Sequence, residues 1–494
     1  MDAPYTLTRS DAALGRLWPI GVWVGVALYA VLLTLESIAD HEAFRTGFDT
    51  AIADQQLWLL ANGHEPFSTI TTRSLLAIHF HPSIVLFTPL YWLGLGISGM
   101  FAAQSIALAL TAPALYAVAR ECGASAPLAA LPSLLWLACP WVASVNLFEW
   151  RPDLFAPVLI VLSVLFALRG RYVLLGVTLV LALSLKEDIG LTYVALGVVL
   201  AYHGRRRLGA CVSLVGAAWV IGASLAMAAL GGGSHEAFSQ RWAGDRGDSV
   251  ASALLWCLQN PLETFTTIVS ESLLPLVVLL VSSGGLGLLA PSWLLLAAPT
   301  TGYNVLSDYQ PQHDLVHHYH LGTVVGLFVA AAVGVPLLAT LGRRARLAVA
   351  ATVALAGLVA LVGGARVHSL HGDAVHIDAE PTRRALELIP PDVPVAATRT
   401  LLPHLSRRAE VWTLPEPFVP LEWGGSLTRR ELRERASRVD YVAYAAGDQV
   451  GTVYTGDIGR AHASPDTRPR LEREGFVAIV RVGTVEILER RRPG

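Results

Sequence analysis

Lysine is almost missing from this 494-residue chain: Lys186 is the only one, and the other 35 basic residues are arginine. Charge of any kind is scarce, at 15% of residues against 53% hydrophobic, and the mean hydropathy is +0.52, which excludes a soluble globular enzyme. A net charge of −2 leaves no basic excess for wrapping a nucleic acid, and no aromatic and basic stripe of a strand-binding module occurs. The four cysteines, Cys122, Cys139, Cys211 and Cys257, lie in or beside apolar stretches and suggest neither a disulfide framework nor a thiolate metal site.

The little charge there is lies unevenly. Residues 1–365 hold 17 basic and 20 acidic residues, whereas the much shorter 366–494 holds 19 and 18, so a membrane body 1–365 carries a polar C-terminal domain 366–494. A spanning helix needs about 20 apolar residues, because the bilayer offers no water to satisfy backbone groups. Runs that qualify fall near 17–38, 81–97, 98–119, 125–145, 152–168, 171–186, 187–203, 207–230, 263–282, 284–303, 320–341 and 345–365.

Short basic loops stay on the cytoplasmic side of the plasma membrane. Arg9 and Arg16, Arg120, Arg169 and Arg171, Arg205 to Arg207, and Arg343, Arg344 and Arg346 are all inside together only if 81–119 crosses once, with 81–97 re-entrant or surface-lying. The expectation is an all-α, multi-pass protein of about 11 crossings, N-terminus cytoplasmic and C-terminal domain extracytoplasmic. Four polar segments then share the outer face: the first outer loop 39–80, the turn 146–153, and the stretches 231–262 and 304–320. Beyond 366, short strand-like runs alternate with helical ones, which reads as a small α/β domain. It contains no glycine-rich phosphate loop, HExxH or GxSxG, so a lid or acceptor-binding role is expected there at most.

Chemistry-bearing residues gather in those outer segments. The first loop holds Asp49 and Asp54, which on a helix would lie about 140° apart, and either carboxylate could serve as a general base or bind a metal, or simply cap and solvate a loop. His79 and His81 fall on one side of an extended strand just before Pro82, a spacing seen both in metal sites and in plain hydrogen bonding. At the turn, Glu149, Arg151 and Asp153 are either an interfacial ion pair beside Trp150 or one wall of a cavity in which Arg151 holds an anionic headgroup. Lys186-Glu187-Asp188 interrupts an apolar stretch and leaves two short helices, as in cavity-lining broken helices, although a structural salt bridge would look the same. His313, His317, His318 and His320 cluster near Asp308 and Asp314 in a spacing with no established ligand pattern, compatible with phosphate or sugar contacts and with ordinary surface polarity.

Together these motifs resemble the integral membrane proteins grouped as domain of unknown function 2079. The resemblance rests on Gly47-Phe48-Asp49 with Asp54-Gln55 and Trp58, His81-Pro82, Asn146 to Glu149 with Pro152-Asp153, Lys186-Glu187-Asp188, His318-Tyr319-His320, and the tail's Val393-Pro394-Val395 and Leu402 to Arg408. Where relatives carry a Phe-acid-Phe-His-Pro-Asp turn, this chain has Trp150-Arg151, so any role of that histidine is absent or passes to arginine. The family in turn resembles GT-C-fold glycosyltransferases, which take sugars from polyprenyl-phosphate carriers on the outer face.

That resemblance implies an acidic residue of the first outer loop as catalytic base, Asp49 ahead of Asp54. It further implies Asp54 or Glu149 for a metal or for acceptor positioning, and Arg151 or Lys186 for the carrier phosphate. His81, Asp153, Glu187, Asp188, His318 and His320 complete the expected substrate-binding set. A divalent metal ion is used by some members of the superfamily and is left open. The expected partners are a polyprenyl-phosphate-linked sugar donor and membrane lipid, and no nucleic acid. Two functions of other classes compete: a transporter or lipid flippase, favoured by the broken helix, and a non-catalytic membrane scaffold.

Overall fold

The computed structural model of the chain describes residues 9–231, 250–307, 309–372, 377–419, 428–448 and 467–491. Asp308 and most of the 231–262 stretch therefore lie outside the described residues. The protein is mostly helical. Among the described residues, six helices are long and apolar enough to cross a membrane: Leu17–Glu42, Gly96–Glu121, Arg206–Ala229, Pro261–Ser282, His318–Thr340 and Arg343–Ala365. A seventh is formed if the pair Ala126–Ala138 and Pro140–Phe148, bent by 42°, is one span. The bend has a local cause: Cys139 precedes Pro140, whose ring disfavours the helical conformation, and Cys139 sits at φ −70, ψ 115.

Pro152–Leu168, Tyr172–Leu183 and Ile189–Tyr202 are apolar but shorter. The last packs on the following helix Arg206–Ala229 through facing glycines, Gly190 against Gly216 and Gly197 against Gly209, so closely that an added Cβ would meet backbone. In a bilayer, where lipid is as apolar as leucine, such close backbone approach is what holds helices together.

Two further hydropathic runs are not single helices. Residues 81–97 fold into the short turns Pro82–Phe87 and Pro89–Trp92, with Leu86, Trp92 and Leu93 exposed. The run 284–303 is a broken segment rather than one continuous helix: Gly284 and Gly285 are both left-handed, and the pieces Leu286–Leu289, Pro291–Leu296 and Ala298–Val305 follow. Irregular backbone is tolerated at membrane depth only where protein covers it. Here the cover is the buried helix Leu321–Gly334, whose Gly322, Gly326 and Gly334 meet Thr300, Ala297 and Leu286.

Among the described residues, the first loop holds a two-residue antiparallel pair, β1 (Phe67–Ser68) and β2 (Arg73–Ser74), and the C-terminal residues hold β3 (Val395–Ala397), β4 (Val411–Thr413), β5 (Tyr441–Ala445), β6 (Phe476–Val482) and β7 (Val485–Arg490), which form a five-stranded sheet in the order β4-β3-β5-β7-β6. β3 is parallel to both its neighbours, while β7 is antiparallel to β5 and β6. Its core is shared with the first loop. Phe44, Phe48, Ala51 and Ile70 pack with Ile377, Leu386, Val395, Leu402, Leu405 and Ile487 in one buried cluster.

Candidate active site

The helix Phe48–Ala61 places Asp49 in its first turn. Its N-terminal residue Gly47 offers no capping side chain, and the orphan N–H groups found at every helix start need an acceptor. Glu149 supplies it from the turn: the Thr50 amide donates to Glu149 Oε2 at 2.6 Å. A negative carboxylate suits the positive end of a helix. Arg399, just beyond β3, donates to Glu149 Oε1 at 3.3 Å. Burial, reinforced by the nearby Asp49 charge, raises the Glu149 carboxyl to about 7 against the pull of Arg399.

From Asp49 a string of alternating charges runs across the site. Arg151 Nη1 reaches Asp49 Oδ2 at 3.0 Å and its Nε reaches Asp153 Oδ1 at 3.1 Å. Lys186 Nζ lies 3.7 Å from Asp153 Oδ2 and 3.0 Å from Asp188 Oδ2, on which Tyr303 closes at 3.4 Å. Burial by itself would lower the Arg151 pKa, but Asp153 and Asp49 outweigh it and hold the guanidinium firmly charged. His318 Nδ1 stands 3.5 Å from Arg151 Nη1. Glu187 turns to the other side, where it accepts from the Phe80 amide at 3.0 Å and pairs with His79 at 2.8 Å. His81 is buried 3.3 Å from Gln56 Oε1, and burial lowers its pKa to about 4, leaving a neutral ring. The first loop, the 146–153 turn, the helix break and the 304–320 segment thus meet at one end of the helical body. Asp49, Arg151, Lys186 and Asp188 keep part of their surface open to a ligand.

Two expected residues stand apart from the string. His320 is buried with Nε2 3.5 Å from the Trp141 carbonyl. Asp54 is fully buried and faces the tail: Tyr91 donates to Oδ1, Ser406 to Oδ2 at 2.5 Å, and Arg407 Nε to Oδ1 at 3.3 Å. Burial raises the Asp54 pKa, and Arg407 opposes the rise. Thr69 ties the same joint, accepting from the Val411 amide at 2.9 Å and donating to its carbonyl at 2.6 Å. Arg399 was not singled out by the sequence, where it is one of 19 tail arginines. Among the described residues no three His, Cys, Asp or Glu side chains converge as metal ligands, and the carboxylates of the string face cations instead.

Fold and site together define a polytopic membrane protein in which a string of charges lies where the first loop, the 146–153 turn and the helix break meet, with the C-terminal residues packed against the first loop. Residues 40–450 match the family described as "Predicted membrane protein (DUF2079)", and the chain belongs to that family. No curated protein matches it in sequence. In structure it is similar to ArnT from Cupriavidus metallidurans, both bound to undecaprenyl phosphate (15% identity) and in the apo state (14% identity). Each comparison covers 94% of this chain and 97% of that one, at a TM-score of 0.53. The likeness is one of fold.

Proposed function

We propose that this chain is a GT-C-type glycosyltransferase that takes a sugar from a polyprenyl-phosphate carrier on the outer face of the plasma membrane. The observation that carries the proposal is the continuous string Asp49–Arg151–Asp153–Lys186–Asp188, with a carboxylate at its open end and two cations within it. Support for a lipid-phosphate partner comes from ArnT, which shares the fold and was solved with undecaprenyl phosphate. The topology proposed with it is the one read from the basic loops: about 11 crossings, body 1–365, and an extracytoplasmic domain 366–494.

In this mechanism Arg151 and Lys186 receive the carrier phosphate. The C1–O bond to phosphate breaks with its electron pair leaving on the phosphate oxygen, whose growing charge the two cations stabilise. Asp49 takes the proton of the acceptor hydroxyl as its oxygen forms the new bond to C1 from the opposite side, inverting that centre. Drawing Arg151 onto the phosphate also frees the Asp49 carboxylate for that proton. Asp153 and Asp188 hold the cations in place, His318 braces Arg151, and His81 with Glu187 shapes the wall. Asp54 acts from a distance, by holding the tail. The test is incubation of the protein in nanodiscs with a panel of polyprenyl-phosphate sugars and candidate acceptors. Release of carrier phosphate is expected. Binding with translocation and no release would turn the assignment to a flippase, for which the helix break at Lys186 is the structural argument.

A further inference from the structure

We infer that Arg399, delivered by the C-terminal domain, is a positioning residue of the site, holding Glu149 as a carboxylate against the start of the helix that carries Asp49. The inference deepens the transferase function proposed above and rests on it for the meaning of Asp49. Three features place Arg399 there. First, it follows the carboxyl end of β3, the central strand of a parallel trio, where open α/β sheets present residues to ligands. Second, its backbone is fixed on both sides: Thr398 bonds to Ala443 and Ala445 of β5, and the Thr400 amide and hydroxyl both donate to Asp448, at 2.8 and 2.7 Å. Third, residue 47 is a glycine where a Cβ would stand 2.8 Å from Arg399 Nε and 3.1 Å from Glu149 Oε1. The first loop thus leaves room for the pair.

Glu149 is nearly inaccessible and has one oxygen on the Thr50 amide and the other on Arg399. The charged groups that face it are Asp49 from the helix, which Arg151 of its own turn holds on the far side, and Arg399 from the tail. Burial and Asp49 favour the protonated form, and a protonated Glu149 would give up its pairing with Arg399. Since Arg399 is the cation that opposes them, the domain sets the charge of the site and, through the Thr50 amide, the placement of Asp49.

The test is a pH titration of the full-length protein in nanodiscs by infrared difference spectroscopy, with the Glu149 carboxyl band identified by its loss in Glu149→Gln. Carrier-phosphate release is measured on the same samples. In Arg399→Gln the midpoint should move up by about one pH unit, with the acid limb of turnover following it. Arg399→Lys should restore most of the shift. Gly47→Ala, which displaces the guanidinium without removing it, should move the midpoint in the same direction. A midpoint unmoved in both Arg399→Gln and Gly47→Ala, in samples that still turn over, overturns the inference and leaves the transferase standing. A moved midpoint with no release from any donor upholds the tail's control of Glu149 and counts against the transferase.

Discussion

Lys186 stands between Asp153 and Asp188 with no second lysine anywhere to take its place. The compact ammonium serves both carboxylates from a single nitrogen, whereas the planar guanidinium of Arg151 reaches its two, Asp49 and Asp153, from separate nitrogens. Lys186→Met should therefore weaken polyprenyl-phosphate binding about tenfold or more, as expected for loss of a charge-assisted contact, measured by equilibrium binding in nanodiscs. Glu149 gives a second residue-level prediction. It holds its proton up to about 7 when folded and only to 4.5 in its ordinary range, so the folded state binds more protons between those values. Stability from this group is full below about 4.5 and is lost as pH rises toward 7. Glu149→Gln should flatten the fall of the unfolding temperature across that window. Lys186, Arg151 and Asp49 were legible in the sequence because a charge is conspicuous in an apolar chain. Arg399 was not, being an arginine among arginines in a polar tail, and neither was the task of Asp54. The 140° separation from Asp49 says that two residues look different ways, but only the folded tail supplies Ser406 and Arg407 on the second side.

At the scale of elements, hydropathy averages hide what single glycines and prolines do. The run 284–303 has the composition of a span, yet Gly284 and Gly285 take left-handed backbone, Pro291 and Pro299 start new short pieces, and a helix with glycines at 322, 326 and 334 packs over them. Its shape depends on a neighbour over 20 residues further on, which no local window contains. Gly326→Ala would press a methyl into the Ala297 backbone, and a cost of about 1–3 kcal/mol is expected, read as a lowered unfolding temperature. The joint between the first loop and the tail is likewise an element-level device. Asp54→Ala should leave the spans intact but weaken that joint by about 1–3 kcal/mol, discounted because Arg407 is half exposed, and should hasten hydrogen exchange around Ser406 and Thr69.

Across the whole molecule, the first loop has no core of its own. Phe44, Phe48 and Ile70 are buried against tail residues, so the helix bearing Asp49 is clasped between the membrane body and the C-terminal sheet. Sequence reasoning separated a membrane body from a polar tail because composition changes near 365, but composition carries no sign that the two are packed together. Their union explains why the site is built from segments as distant as Asp49, Arg151, Lys186, His318 and Arg399. The most direct test of this account is the rate of carrier-phosphate release by Asp49→Asn at saturating donor and acceptor, measured beside its donor affinity. The account predicts a rate lower by about 10²–10⁴-fold, the usual worth of a general base, with donor binding retained through Arg151 and Lys186. A variant that turns over at the wild-type rate would contradict it.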